Sequence, residues 1–148
     1  MHRETGITLV LVGPDRTRDQ AVRDRFAALE ASGVAVRTGG VSDANLRWCY
    51  EHARVVLIPS LEEGCGFPAI EAMHFGAPIV TSRDPALVEV SGDSALHLDS
   101  SDDEAWERAI VALASKPAER AGTPPEMTWA TVAEMTAGVY HRVARGGR

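Results

Sequence analysis

The sequence predicts an α/β fold in which a parallel β-sheet carries helices on both faces. Apolar runs of strand length, such as Ile7–Val12 and Val55–Ile58, alternate along the chain with segments of helical periodicity. Glycine and proline interrupt the chain between them, as in Gly13-Pro14-Asp15. Strands that alternate with helices in this way form parallel sheets covered on both faces. The length of 148 residues is that of one domain.

The first half of the chain contains two predicted strands, Ile7–Val12 and Val34–Arg37. A helix is expected between them over Thr17–Ala31, because three apolar side chains recur on one helical face: Val22, Phe26 and Leu29. Ser42 or Asp43 is a suitable N-cap for the next helix.

The second half begins with a strand at Arg54–Ile58 and continues through a glycine-bearing loop into a short helix that Pro68 starts. Ala77–Val80 is the next strand. The remaining predicted elements follow in order: a helical turn at Ala86–Val90, a strand at Ala95–Leu98, a helix that begins near Asp102, and a last helix at Thr128–Val143.

Composition and charge exclude several classes of protein. The net charge of −6 argues against a nucleic-acid binder, which needs a basic face. No apolar run approaches the ~20 residues that span a bilayer. Cys49 and Cys65 have neither zinc nor redox spacing, so we expect reduced thiols and a cytoplasmic location.

The segment Pro59–Gly76 is the strongest candidate for a site. Two carboxylates, Glu63 and Glu71, lie eight residues apart, with Glu63 in the loop and Glu71 expected in the first turn of the helix. Ligands bind at such strand–loop–helix corners of open parallel sheets. A carboxylate in a first turn also stabilises the helix dipole by ~0.3–1 kcal/mol. That alternative explains Glu71 alone, whereas a binding site also explains Glu63 and the glycines at 64 and 66.

The same segment carries a resemblance to a known family. Glu63–Met73 (EGCGFPAIEAM) resembles the E-G-F-G-L-P-x-x-E-A-M segment of glycosyltransferase family 4, also called group 1. Further segments resemble the family in the same order along the chain: Leu9–Pro14, Gly40–Leu46, Pro59–Leu61, Gly76–Val80, Glu89–Ser94 and Trp129–Tyr140. Together they extend over nearly the whole chain.

The resemblance implies a Rossmann-like domain, the C-terminal half of a GT-B fold, in a retaining glycosyltransferase. Such an enzyme transfers a hexosyl group from a nucleotide-sugar donor to a sugar or glycolipid acceptor, with neither a metal ion nor a cofactor. Residues 1–116 would form the nucleotide-sugar-binding domain, residues 117–127 a connector, and residues 128–148 a C-terminal helix and tail.

Residue roles follow from the same resemblance. Glu63 would be the catalytic residue beside the transferred sugar, and Glu71 would accept hydrogen bonds from the donor's ribose. The remaining donor-binding residues would contact the sugar, the diphosphate or the base: Gly13, Val41, Ser42, Asp43, Gly64, Cys65, Gly66 and Phe67.

Two parts of the family pattern have no counterpart in this sequence. One is the N-terminal acceptor-binding domain, so a domain partner or self-association is expected. The other is the strand–helix unit before Leu9–Pro14, which carries an arginine and a lysine that hold the diphosphate. Lys116, the single lysine, matches no such position, whereas Arg16 or Arg18 could partly compensate.

The missing strand would lie between Ile7–Val12 and Val55–Ile58. We therefore expect these two strands either to pair directly or to be completed by a partner. The leading functional hypothesis is the donor-binding part of a family 4-like glycosyltransferase. The alternatives are a non-catalytic nucleotide-binding or assembly module and another GT-B-like enzyme, such as a nucleotide-sugar epimerase.

Overall fold

A computed structural model describes residues 6–116 and 128–146 of the chain. Within these ranges strands and helices alternate, so the predicted α/β class is confirmed. The strands are β1 (Leu9–Val12), β2 (Ala35–Gly39), β3 (Val56–Ile58), β4 (Ile79–Ser82) and β5 (Ala95–Leu98). The α-helices are α1 (Gln20–Ala31), α2 (Asp43–His52), α3 (Phe67–His74), α4 (Pro85–Ser91), α5 (Asp103–Ala114) and α6 (Trp129–Gly146). A 3-10 turn, Gly92–Ser94, joins α4 to β5.

The strands form two parallel sheets rather than one. β1 pairs with β2, and β3, β4 and β5 form a second sheet in that order. Among residues 6–116 and 128–146, no strand joins β1 to β3. The expectation that these two strands pair directly is therefore wrong, whereas their completion by a partner remains a prediction.

β1 and β3 lie in different sheets, and α2 connects the two sheets along the chain. Each parallel pair arises from a crossover through one helix, which places β2 beside β1 and β4 beside β3. The connection from β2 through α2 to β3 leads into the other sheet. β1 and β3 are consequently edge strands in the described part of the chain, and edge strands present backbone groups that can pair with a further strand.

The buried core lies with the three-stranded sheet. Its members come from α2, α3, α4 and the strands between them: Tyr50, Ile58, Ala69, Ala72, Met73, Ala77, Ile79 and Leu87. In the two-stranded sheet, by contrast, Val10, Leu11 and Val36 are 43–48% exposed. Helix α1 has no fully buried residue. The candidate site is thus built on the better-packed sheet.

Several element boundaries differ from the predicted ones for local reasons. Helix α1 begins at Gln20 rather than Thr17 because Asp19 is its N-cap and accepts hydrogen bonds from the N–H groups of Ala21 and Val22. Strand β3 begins at Val56 rather than Arg54. Ser42 caps α2 as predicted, accepting from the N–H of Asn45.

Helix α6 has no buried residue. Its exposed apolar side chains include Trp129 (89%), Tyr140 (71%) and Val143 (69%). The predicted connector, residues 117–127, lies outside the described residues. None of the helices within the described ranges is long and apolar enough to cross a membrane.

Candidate functional site

The candidate site is the corner at which β3 leads through a loop into α3. Gly66 ends the loop as the N-cap of α3, with φ of +66°. A Cβ at this position would lie 3.0 Å from Cδ2 of Leu87 and 3.2 Å from Cγ2 of Val90. Both the backbone conformation and the close approach of α4 therefore favour glycine.

The N-terminus of α3 is available to an anionic ligand. No side chain caps it. Pro68 has no N–H group, and the N–H groups of Ala69 and Ile70 donate to the carbonyl of Gly66, so the backbone donors that a ligand could use are those of Phe67 and of the loop before it. The loop residues Gly64 and Cys65 and the first helical residue, Phe67, are exposed. This arrangement is the kind that binds phosphate or carboxylate groups through backbone N–H groups and the helix dipole.

Glu71 is the fifth residue of α3, since the helix begins at Phe67 rather than at Pro68. The expectation that Glu71 lies in the first turn is therefore wrong, because the structure places no acidic residue there. Interaction with the helix dipole falls off beyond the first turn. Stabilisation of the helix dipole is therefore a weaker explanation for a glutamate at position 71 than the sequence suggested.

A hydrogen bond from α2 holds the half-buried Glu71 carboxylate. The hydroxyl of Tyr50 donates to Oε2 of Glu71 at 2.9 Å. Burial and, secondly, this contact with Glu71 raise the pKa of Tyr50 well above its usual value, so the phenol stays protonated and remains a donor. The Tyr50 ring also stacks on Phe75, with centroids 5.9 Å apart.

Contacts from β4 and α4 hold the loop that carries Glu63. The backbone N–H of Glu63 lies 3.4 Å from Oδ2 of Asp84, a long hydrogen bond. The other oxygen of Asp84 accepts from the N–H groups of Ala86 and Leu87 and caps α4. The hydroxyl of Ser82 donates to the carbonyl of Ser60 at 2.5 Å. The Glu63 side chain is half-buried.

The other predicted donor-binding residues are distributed over both parts of the fold. Ser42 and Asp43 are exposed at the start of α2, and Val41 before them is half-buried. They lie at the start of the helix that carries Tyr50, seven to nine residues before it in the sequence, which corresponds to about 10–14 Å along a helix axis. Gly13 follows β1 in the other sheet, where its N–H donates to the carbonyl of Gly39 at 2.9 Å. No backbone hydrogen bond between the described residues joins Gly13 to the Glu63 loop.

The basic residues considered for a diphosphate lie elsewhere. Arg16 and Arg18 are exposed in the segment between β1 and α1. Lys116 ends the first described range, and its carbonyl accepts a hydrogen bond from Arg54 at 3.1 Å. Arg37 is committed to ion pairs with Glu30 at 2.6 Å and Asp15 at 3.1 Å. Compensation by Arg16 or Arg18 therefore remains a prediction.

Sequence reasoning missed two residues that support the corner, Tyr50 and Asp84. An aspartate before Pro85 is a recognisable N-cap pattern, so the capping role of Asp84 could have been found. Nothing in the sequence indicates that Tyr50 reaches a carboxylate 21 residues further along the chain. A surface cleft of about 500 Å³ lies at the opposite, C-terminal end of α3 and is not part of this corner; it is lined by Arg47, Glu51, His52, His74 and Phe75.

No group of three or more His, Cys, Asp or Glu side chains in the described ranges is arranged to hold a metal ion. The expectation of metal-independent chemistry remains a prediction.

Comparison with known proteins relates this geometry to a family. The chain is 34% identical over 128 residues to MMP alpha-(1->4)-mannosyltransferase of Mycolicibacterium hassiacum, covering 79% of this chain and 31% of the relative. It is 28% identical over 159 residues to D-inositol 3-phosphate glycosyltransferase of Segniliparus rotundus, covering 99% of this chain and 35% of the relative. The chain thus spans about a third of the length of these relatives.

A solved structure shows the same fold. Sucrose-phosphate synthase from Thermosynechococcus elongatus superimposes with a TM-score of 0.62 at 23% identity, over 94% of this chain and 39% of that one. This likeness places the chain among α/β proteins of the GT-B type. Residues 1–116, which contain the whole candidate site, match the family model described as "Glycosyl transferases group 1". The chain therefore belongs to the group 1 glycosyl transferases.

Proposed function

We propose that this chain is the nucleotide-sugar-binding part of a metal-independent, retaining glycosyltransferase that transfers a hexosyl group from a nucleoside diphosphate sugar to an acceptor. The observation that carries the proposal is the β3–α3 corner, where two half-buried glutamates, Glu63 and Glu71, flank an uncapped helix N-terminus. A diphosphate suits the helix end, and carboxylates suit the hydroxyl groups of a ribose and a hexose.

Each part of the corner has a role in this reaction. Glu71 accepts hydrogen bonds from the ribose hydroxyls. Glu63 lies beside the hexose, where its charge stabilises the positive charge that develops at the anomeric carbon. The backbone of Gly64, Cys65, Gly66 and Phe67 contacts the hexose and the diphosphate, and the α3 N-terminus stabilises the departing diphosphate. Val41, Ser42 and Asp43 contact the base, and Gly13 lies at the opposite wall of the donor site.

The acceptor side of the reaction requires a further domain. The described residues form two parallel sheets with their helices, and the relatives are about three times as long as the part that this chain matches. The open edges of β1 and β3 also favour a strand from a partner between them. We infer that an N-terminal acceptor-binding domain, in the same protein or in a partner, completes the enzyme.

The donor sugar can be tested first with mannose, because one relative is a mannosyltransferase. Isothermal titration calorimetry with UDP, GDP and ADP identifies the base, and the corresponding nucleoside diphosphate mannose then tests the sugar. Glu71→Ala should weaken nucleotide binding about tenfold or more, since it removes charged hydrogen bonds. Glu62→Ala is the matched control because Glu62 is exposed beside the same loop. Unchanged affinity of Glu71→Ala for every nucleotide would contradict the site assignment.

A second candidate function is a non-catalytic nucleotide-binding or assembly module. The separation of β1 from β3 favours it, because Gly13 follows a strand of one sheet whereas the Glu63 loop follows a strand of the other. A pure assembly module would give no heat with any of the three nucleotides. A weak nucleotide-binding module would bind them but transfer no sugar when the N-terminal domain of a relative is supplied.

A further inference from the structure

Tyr50 lies outside the predicted site and contacts a residue of that site, Glu71, through a hydrogen bond. It lies on α2, is 9% exposed, and packs in the same core cluster as Ala69, Ala72 and Met73 of α3. Its ring stacks on Phe75 at an interplanar angle of 14°. The position of the phenol is therefore set by packing on two sides, and its hydroxyl is directed at Glu71.

The hydrogen bond leaves the carboxylate able to bind more than Tyr50. A phenol has one proton to donate, and that proton goes to Oε2 of Glu71. An ionised carboxylate has about four acceptor positions on its two oxygens. Glu71 thus keeps most of its acceptor capacity, while the orientation of its carboxylate is restricted by a rigid donor.

A glutamate side chain that is not held in place loses rotamer freedom when it binds a ligand, and this loss weakens binding. A carboxylate that is already oriented avoids most of that loss. The Tyr50–Glu71 pair, which links α2 to α3, supplies such an orientation from two helices rather than from the Glu63 loop.

We propose that Tyr50 is a positioning residue for nucleotide recognition: its hydroxyl fixes the Glu71 carboxylate so that the remaining oxygen positions accept the ribose hydroxyls of the donor. This inference rests on the proposed function, in which Glu71 is the ribose ligand. Tyr50 itself does not contact the nucleotide.

The test compares Tyr50→Phe with the wild-type chain by calorimetry. One ligand is whichever of UDP, GDP and ADP binds, and the other is its 2′,3′-dideoxy form, which lacks both ribose hydroxyls. Tyr50→Phe should lose about 5- to 10-fold in affinity for the ribonucleotide, corresponding to one hydrogen bond, and almost none for the dideoxy form. In a Glu71→Ala background, Tyr50→Phe should have no further effect on the ribonucleotide. Tyr140→Phe, an exposed tyrosine of α6, is the control.

The outcomes separate the two proposals. Equal losses for both ligands in Tyr50→Phe, or an unchanged affinity for the ribonucleotide, would overturn the positioning role while leaving the ribose role of Glu71 in place. A wild-type chain that binds both ligands equally would overturn the ribose role, and the positioning role with it. No binding of either ligand would overturn the proposed function of the chain.

Discussion

The hydroxyl of Tyr50 donates to Oε2 of Glu71 across 2.9 Å, and this bond joins α2 to α3 beside the candidate site. The two residues come from helices on either side of β3 in the sequence. Because the phenol is buried and adjacent to a carboxylate, ionising it would place a second negative charge in a poorly solvated position.

The ionisation of Tyr50 should report on Glu71. Tyr140→Phe leaves Tyr50 as the sole tyrosine, so its titration can be followed by the ultraviolet absorbance of tyrosinate. We expect the pKa of Tyr50 to lie well above the usual value of about 10. Adding Glu71→Gln should lower it only partway, since burial is the larger cause of the shift. A titration that does not respond to Glu71→Gln would show that the hydrogen bond is absent in solution.

The same raised pKa predicts how stability depends on pH. The pKa of Tyr50 in the folded state is higher than that of a tyrosine in the unfolded state, which is about 10. The stability that protonated Tyr50 contributes is therefore complete below about pH 10, and it is lost as the pH rises toward the folded-state pKa. Tyr50→Phe cannot ionise. The Tm of the wild-type chain minus that of Tyr50→Phe should therefore decrease as the pH rises from about 10 to about 12. A difference that stays constant over this range would contradict the prediction.

Gly66→Ala should destabilise the corner by about 1–3 kcal/mol. The left-handed backbone at Gly66 disfavours any side chain, and the new Cβ would crowd Leu87 and Val90 of α4. Gly64→Ala is the matched control, because a Cβ there meets nothing within 4 Å. Urea denaturation of both variants measures the difference. Equal stabilities for Gly66→Ala and Gly64→Ala would mean that α3 and α4 do not pack as described.

The sequence predicted those features that depend on neighbouring residues. The strand–loop–helix corner, the placement of Glu63 in its loop and the Ser42 cap of α2 all follow from local patterns of apolar residues, glycine and capping side chains. The error at Glu71 was also local. The sequence pattern predicts Pro68 as the first helical residue, whereas Gly66 is the N-cap and Phe67 begins the helix.

Features that depend on tertiary packing could not be read in the same way. The periodicity that identifies β1 and β3 contains no information on which strands pair, so the separation of the two sheets required the structure. The partner of Glu71 depends on how α2 packs beside α3. A helical pattern does not show which group the Tyr50 hydroxyl reaches.

Asp84→Ala should affect sugar binding as well as stability. It removes the cap of α4 and an acceptor for the Glu63 N–H, whereas Asp102→Ala removes only the cap of α5. Both variants should lose about 0.5–2 kcal/mol of unfolding free energy. Only Asp84→Ala should also reduce the affinity for a nucleoside diphosphate sugar relative to the free nucleoside diphosphate, because Glu63 is then held less firmly beside the hexose. Calorimetry with the nucleoside diphosphate sugar and with the free nucleoside diphosphate gives the ratio of the two affinities. An equal ratio in Asp84→Ala and Asp102→Ala would show that Asp84 acts on stability alone.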